Sequence, residues 1–259
     1  MTTASVLPET VDPAQTQVVE SALLGGRVRL LQPARGYRAG MDAALLAAAV
    51  AARPGQRIFE AGCGAGAVLM QVAARCPGLI LTGLERDPAA AALARRNADL
   101  NGVQGQTTVI TGDVATGYGN LDLPLCDWAV SNPPFFDDET ALRAPSPGKR
   151  GAWIADDGLV AWTDILLSSV KDGGRILMIH RADRLADILG LLNEKAGSFA
   201  ILPVQPFADQ PAKRVLIKAV KRGKAPLVLR PALVLHDRSG AKHTVEAEAI
   251  LRGEADLIV

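Results

Sequence analysis

From Arg57 onward, short apolar runs alternate with longer stretches whose apolar positions return every three to four residues. Arg57 to Ala61 and Leu79 to Glu85 read as strands, and helical stretches follow each, to Arg75 and from Pro88 to Asn101. Further strands are predicted at Thr107 to Thr111, Cys126 to Ser131 and Gly174 to His180, with helices from Gly158 to Lys171 and from about Asp183 to Lys195. Such alternation predicts an α/β fold with a mostly parallel sheet covered by helices on both faces. After residue 198 the helical period stops, and Phe199 to Pro203, Val215 to Val220 and Leu227 to Leu235 predict an antiparallel C-terminal end.

Upstream, Arg27 to Gln32 alternates as a short strand, and Asp42 is placed to cap an Ala-rich helix running to Pro54. Residues 1–24 show no period and read as a mobile arm; residues 25–259 read as one domain. Hydrophobic residues make up 49% and charged residues 21%, which excludes a disordered chain. The longest apolar run, Ala43 to Ala52, is half of the ~20 residues needed to span a bilayer. With no secretory leader in the sequence, a cytoplasmic location without membrane contact is expected. Cys63, Cys76 and Cys126 show no pairing pattern, His180, His236 and His243 are dispersed, and no metal site is expected.

Phe59-Glu60-Ala61-Gly62-Cys63-Gly64-Ala65-Gly66 leaves a predicted strand and enters a predicted helix. Missing β-carbons there let backbone pass close to a nucleotide-like ligand and aim N–H groups at it. Gly62, Gly64 and Ala67 also satisfy the relaxed dinucleotide pattern, so NAD and S-adenosylmethionine both fit the spacing. Glu85 ends the second strand, where a carboxylate accepts from ribose hydroxyls, and Asp113 follows the third, where an acid accepts from an adenine amine. Glu60 beside the turn would repel a pyrophosphate and suits a sulfonium, which favours S-adenosylmethionine.

Ser131-Asn132-Pro133-Pro134-Phe135-Phe136 follows the fourth predicted strand of this series. Two prolines fix the backbone and remove N–H donors, leaving an acceptor-rich site. The Asn132 side-chain oxygen and the Pro133 carbonyl can hold both hydrogens of an exocyclic amine and direct its lone pair toward a methyl group. Phe135 and Phe136 offer stacking surfaces for a planar substrate. Net charge is only +1, so an RNA substrate would need local basic patches. Three are visible: Arg27, Arg29, Arg35 and Arg38; then Arg143, Lys149 and Arg150; then Lys213, Arg214, Lys218, Lys221, Arg222, Lys224 and Arg230, a run without an acid.

Together these motifs resemble class I S-adenosylmethionine-dependent methyltransferases of the amino-methylating branch. Gly36-Tyr37-Arg38-Ala39-Gly40-Met41-Asp42-Ala43-Ala44-Leu45-Leu46, Asn97 to Asn101, His180-Arg181 and Val234-Leu235-His236 look like the tRNA1(Val) adenine-37 N6-methyltransferase family. The resemblance implies a Rossmann-like seven-stranded sheet. It implies that Tyr37, Arg38, Ala39 and Asp42 line the methionine side of the cofactor, Glu60, Gly62 and Gly64 its turn, Glu85 its ribose and Asp113 its adenine. Asn132 would also touch the cofactor, and Asn132, Pro133, Pro134 and Phe135 would form the catalytic pocket. Phe135, Phe136, Lys149, Arg150 and Arg214 would meet a tRNA substrate. The chain departs from the family in having Glu60 for the commoner Asp and Cys63 for a smaller polar residue. Enzymes that methylate ribosomal guanine N2 or a release-factor glutamine share the Asn-Pro-Pro-aromatic motif, and a non-catalytic RNA-binding module is the reading from another class.

Overall fold

The computed structural model describes residues 17–35, 38–134, 157–238 and 240–259. Strands β1 (Val18–Leu23) and β2 (Val28–Pro33) form an antiparallel hairpin separate from the main sheet. This corrects the expected arm only over Val18 to Leu23, which are paired residue by residue with β2; its residues 1–16 lie outside the described residues. The turn explains the pairing: Gly25 and Gly26 adopt φ of 64° and 92°, which glycine reaches at little cost.

The main sheet contains β3 (Arg57–Ala61), β4 (Ile80–Glu85), β5 (Thr107–Thr111), β6 (Cys126–Ser131), β7 (Val170–Arg181), β8 (Ala196–Gln205), β9 (Arg214–Lys221), β10 (Val228–Leu229) and β11 (Leu233–Val234). Its order is β10-β8-β9-β7-β6-β3-β4-β5, with β11 also on β8. Strands β5, β4, β3, β6 and β7 are parallel, and β9 runs antiparallel between β7 and β8. The sheet has nine strands rather than seven because β10 and β11 add to the seven strands β3 to β9, and Leu227 to Leu235, which reads as one strand, is divided between them. Pro231 has no N–H to donate and splits it into two short pieces, each parallel to β8.

Helices α1 (Met41–Ala48), α2 (Ala67–Arg75), α3 (Pro88–Leu100), α4 (Asp157–Ser169), α5 (Leu185–Leu192) and α6 (Val245–Arg252) cover the sheet. Alternation along β3 sends Ile58 into the core under α1 and α2, and Phe59 into the core under α4. Helix α1 ends at Ala48, short of the predicted Pro54, and the Ala48 carbonyl accepts from Leu257 N–H at 3.0 Å instead of continuing the helix. Nor does Asp42 cap it. Gly40 is the N-cap, and Asp42 in the first turn pairs with Arg214 on β9 at 2.9 Å.

Two asparagines four residues apart, Asn97 on α3 and Asn101 at its C-cap, dock the hairpin. Asn97, fully buried, accepts from Leu31 N–H at 2.7 Å and donates to the carbonyls of Leu31 at 2.9 Å and Ala65 at 2.8 Å. Asn101 repeats the pairing on Arg29, accepting at 2.9 Å and donating at 2.7 Å. Asn97→Ala would leave one buried N–H and two carbonyls without these bonds, a loss of about 2–4 kcal/mol. The expected result is a lower urea midpoint with an unchanged slope; an unchanged midpoint would refute the docking role.

Candidate active site

The carboxyl ends of β3, β4 and β6 open on one cavity of about 690 Å³, within the range of small-molecule sites. Its wall includes Glu60, Gly62 and Gly64 from the β3 turn, Glu85 from β4 and Asn132 after β6. Ala39 and the hairpin residues Val18, Gln32 and Pro33 close another side. Five sequence-predicted site residues from three strand ends, together with Ala39, therefore share one space. Asn132 is half-buried, Pro133 buried and Pro134 exposed.

The glycine turn differs from its expected use. Gly62 and Cys63 N–H donate to the Leu84 carbonyl at 2.8 and 3.0 Å, Gly66 N–H to the Cys63 carbonyl at 2.8 Å, and Gly64 N–H to Glu85 Oε2 at 2.8 Å. These donors are committed within the chain, so the turn is poorly equipped to hold a pyrophosphate by its N–H groups. The second Glu85 oxygen accepts from Asp87 N–H at 2.8 Å. A carboxylate has about four acceptor positions, which leaves Glu85 capacity for ribose hydroxyls.

Glu60 is only 2% exposed, and its Oε2 has no hydrogen-bond partner among the described residues. Burial, then the nearby Glu85 charge, pushes its carboxyl well above the usual range, and the Leu69 N–H opposes this in part. A cationic ligand would relieve both effects, which suits a sulfonium cofactor. Cys63 is buried with its thiol pushed up, first by burial and then by Glu60 and Glu85. It packs on β4, where a side chain at Gly83 would meet Cys63 Sγ at 2.6 Å.

Other predicted residues lie elsewhere. Arg38 is exposed and donates to Ser21 Oγ at 3.2 Å, while Asp42 and Arg214 engage each other; none of the three is on the cavity wall. Asp113 is exposed, caps a short turn by accepting from Ala115 N–H at 2.9 Å, and is also off the wall. Tyr37, Phe135, Phe136, Arg143, Lys149 and Arg150 lie outside the described residues. Among the described residues, no helix is long and apolar enough to cross a membrane, and no group of three or more His, Cys, Asp or Glu is placed to hold a metal ion.

Residues 38–144 match the family described as methyltransferase small domain. A crystal structure of a predicted O-methyltransferase from Agrobacterium tumefaciens superposes with a TM-score of 0.70 at 26% identity, covering 84% of this chain and 99% of that one. A tRNA1(Val) (adenine(37)-N6)-methyltransferase of Dickeya chrysanthemi is 28% identical over 210 residues, 77% of this chain and 81% of the relative. The enzyme of the same name from Porphyromonas gingivalis is 30% identical over 193 residues, 69% of this chain and 72% of the relative. The chain belongs to the tRNA1(Val) (adenine(37)-N6)-methyltransferase family. It is a methyltransferase that uses S-adenosylmethionine, as the motifs imply.

Within this family member, several residues near the site carried no assigned role in the sequence. Buried Gln32 accepts from Ala39 N–H at 2.7 Å and donates to Ser21 Oγ at 3.2 Å, fixing the segment before α1 at the cavity wall. Its signal was a polar residue on the inward face of an alternating strand. Ser131 Oγ donates to the Ala61 carbonyl at 3.0 Å and ties the ends of β3 and β6. Arg35, Arg86 and Arg96 are exposed around the cavity.

His180 is 2% exposed near the end of β7. Burial, followed by the charges of Arg184, Arg181 and Arg214, pushes it down to about 4, against an opposing pull from Asp183. The unfolded chain takes up this proton near 6.5 and the folded chain only near 4. Acidification across that window therefore favours unfolding, by about 3 kcal/mol in total. His180→Gln should flatten the fall in stability between pH 6.5 and 4, as read from denaturation midpoints; an unchanged pH profile would exclude His180 as its source.

Proposed function

We propose that the chain methylates the exocyclic N6 amine of adenosine 37 in tRNA1(Val), within one catalytic domain that takes in the hairpin beginning at Val18. The observation that carries this reading is Asn132 sharing one cavity with Glu60, Gly64 and Glu85 at the ends of three parallel strands. The relatives' names supply the tRNA and its position.

Glu60, Gly62 and Gly64 would border the methionine end of S-adenosylmethionine, and Glu85 would accept from its ribose hydroxyls. When bound, this cofactor supplies an electrophilic methyl group on sulfur. The Asn132 amide oxygen and the Pro133 carbonyl accept the two amine hydrogens and hold the nitrogen lone pair toward that methyl. As the nitrogen gains positive charge, these hydrogen bonds strengthen, which lowers the barrier without a strong base. The methyl–sulfur bond would break as the methyl–nitrogen bond forms, S-adenosylhomocysteine would be the leaving group, and the extra proton on nitrogen would then pass to solvent. A hydroxyl offers one hydrogen, so a pair of acceptors matches a primary amine better than the alcohol implied by the Agrobacterium relative's name.

The test is transfer of a labelled methyl group to total tRNA, followed by nucleoside identification and mapping. N6-methyladenosine at position 37 is expected. A labelled guanosine, or labelled protein with unlabelled tRNA, would overturn the assignment.

A further inference from the structure

The seven cations from Lys213 to Arg230 form one basic run in the sequence, but the fold divides them. Arg214 pairs with Asp42 at 2.9 Å, Arg222 pairs with Asp172 at 3.2 Å, and the Lys221 ammonium donates to the Val170 carbonyl at 2.8 Å. Strand alternation turns Lys218 to the opposite face of β9 from Lys221. There it meets cations from two other elements. Arg175 lies on β7 two residues before Leu177, the register partner of Lys218. Arg230 lies just beyond β10, whose Val228 pairs with Ala200, the other register partner of Lys218.

Burial, then the positive charges of Arg230 and Arg175, push the Lys218 ammonium below its ordinary value, and no carboxylate acts on it. Arg175, Lys218 and Arg230 form no ion pair among the described residues. The Arg230 Nε–H is buried without an acceptor. So is the indole N–H of Trp128, whose ring carries the Arg175 guanidinium at 5.2 Å. Grouped like charges repel and buried donors without acceptors are costly, so the cluster has the character of a site that an anion completes. Two arginine forks and an ammonium, donors only, match phosphate oxygens.

We propose that Arg175, Lys218 and Arg230 form a phosphate-binding site, and that it grips a backbone phosphate of the RNA substrate. The second part rests on the tRNA reading above. Register places the site beside the cofactor cavity: Glu60 pairs with Val130, Val130 with Leu177, and Leu177 with Lys218. Three steps between strands separate Lys218 from Glu60 by about 14 Å. Val130 and Leu177 between them are buried in the core with α1, so the RNA backbone would reach the site over the protein surface while one base enters the cavity.

The test uses the full chain and a Lys218→Gln/Arg230→Gln variant. In melts at matched ionic strength, low-millimolar inorganic phosphate should raise the parent's melting temperature over its value in chloride by clearly more than the variant's, the general salt effect of phosphate being common to both. In chloride the variant should melt no lower than the parent, because removing unpaired like charges relieves repulsion. With tRNA, the variant should bind roughly tenfold or more weakly at low salt, and its slope of log K against log salt should be shallower by about one, the loss of one phosphate contact. S-adenosylhomocysteine affinity should not change. Lys218→Arg should keep the parent's slope, and its loss there would mark a structural role and overturn the site. A phosphate effect with an unchanged tRNA slope overturns the RNA assignment; loss of neither response overturns the site. If the parent itself does not bind tRNA, the proposed function and the RNA assignment fail together, and the phosphate melts alone then decide the site.

Discussion

Asn132→Ala is expected to lower kcat for methyl transfer to tRNA by roughly 10²–10³-fold, the loss typical of removing one preorganised transition-state hydrogen bond. S-adenosylhomocysteine should still bind with nearly the parent's affinity, because the two glutamates and the glycine turn on the cavity wall are untouched. Single-turnover label transfer reads the first quantity and calorimetry the second. Asn132→Asp, which retains an acceptor oxygen, should keep more activity than the alanine variant. Equal activity of parent and alanine variant would remove Asn132 from the reaction, and parallel loss of rate and cofactor affinity would make it a cofactor ligand only.

Gly62→Ala should have the largest effect on stability. Gly62 adopts φ +70°, and a β-carbon there would overlap the Trp162 indole of α4. The backbone costs about 1–2 kcal/mol for an L-residue in that region. The overlap adds about 1–3 kcal/mol because Trp162 is packed in the core. A melting temperature lower by about 5–15 °C is expected for a chain of this size. Gly64→Ala is the comparison, since Gly64 also has a left-handed φ, +54°, but open space around its missing side chain. It should pay only the backbone part of the cost and lose cofactor affinity instead. Equal melting losses in the two variants would refute the role given to Trp162.

The difference between these glycines was not legible in the sequence. Both sit in one G-x-G pattern, yet Gly62 is required by a tryptophan a hundred residues later and Gly64 by the cavity. Strands β3 to β7 were legible, because parallel strands buried on both faces appear as apolar runs separated by helical periods. The β1 strand was not: Val-Val-Glu-Ser-Ala-Leu is too short and mixed to show a period, and only its pairing with β2 defines it. Placement by tertiary contact also explains Asp42 and Asp113. A carboxylate near a helix start has several uses, and here a distant arginine took one and a local turn the other. Asn97 and Asn101 stood out as a motif, but their role depends on a hairpin brought to them from seventy residues away.

Because the glycine turn spends its own N–H groups on Leu84, Cys63 and Glu85, its shape is set when the chain folds. Capturing a ligand there carries little conformational entropy penalty at the turn itself. Discrimination among adenine-containing molecules is therefore left to the charges that border the cleft, which one substitution at a time can retune without remaking the loop.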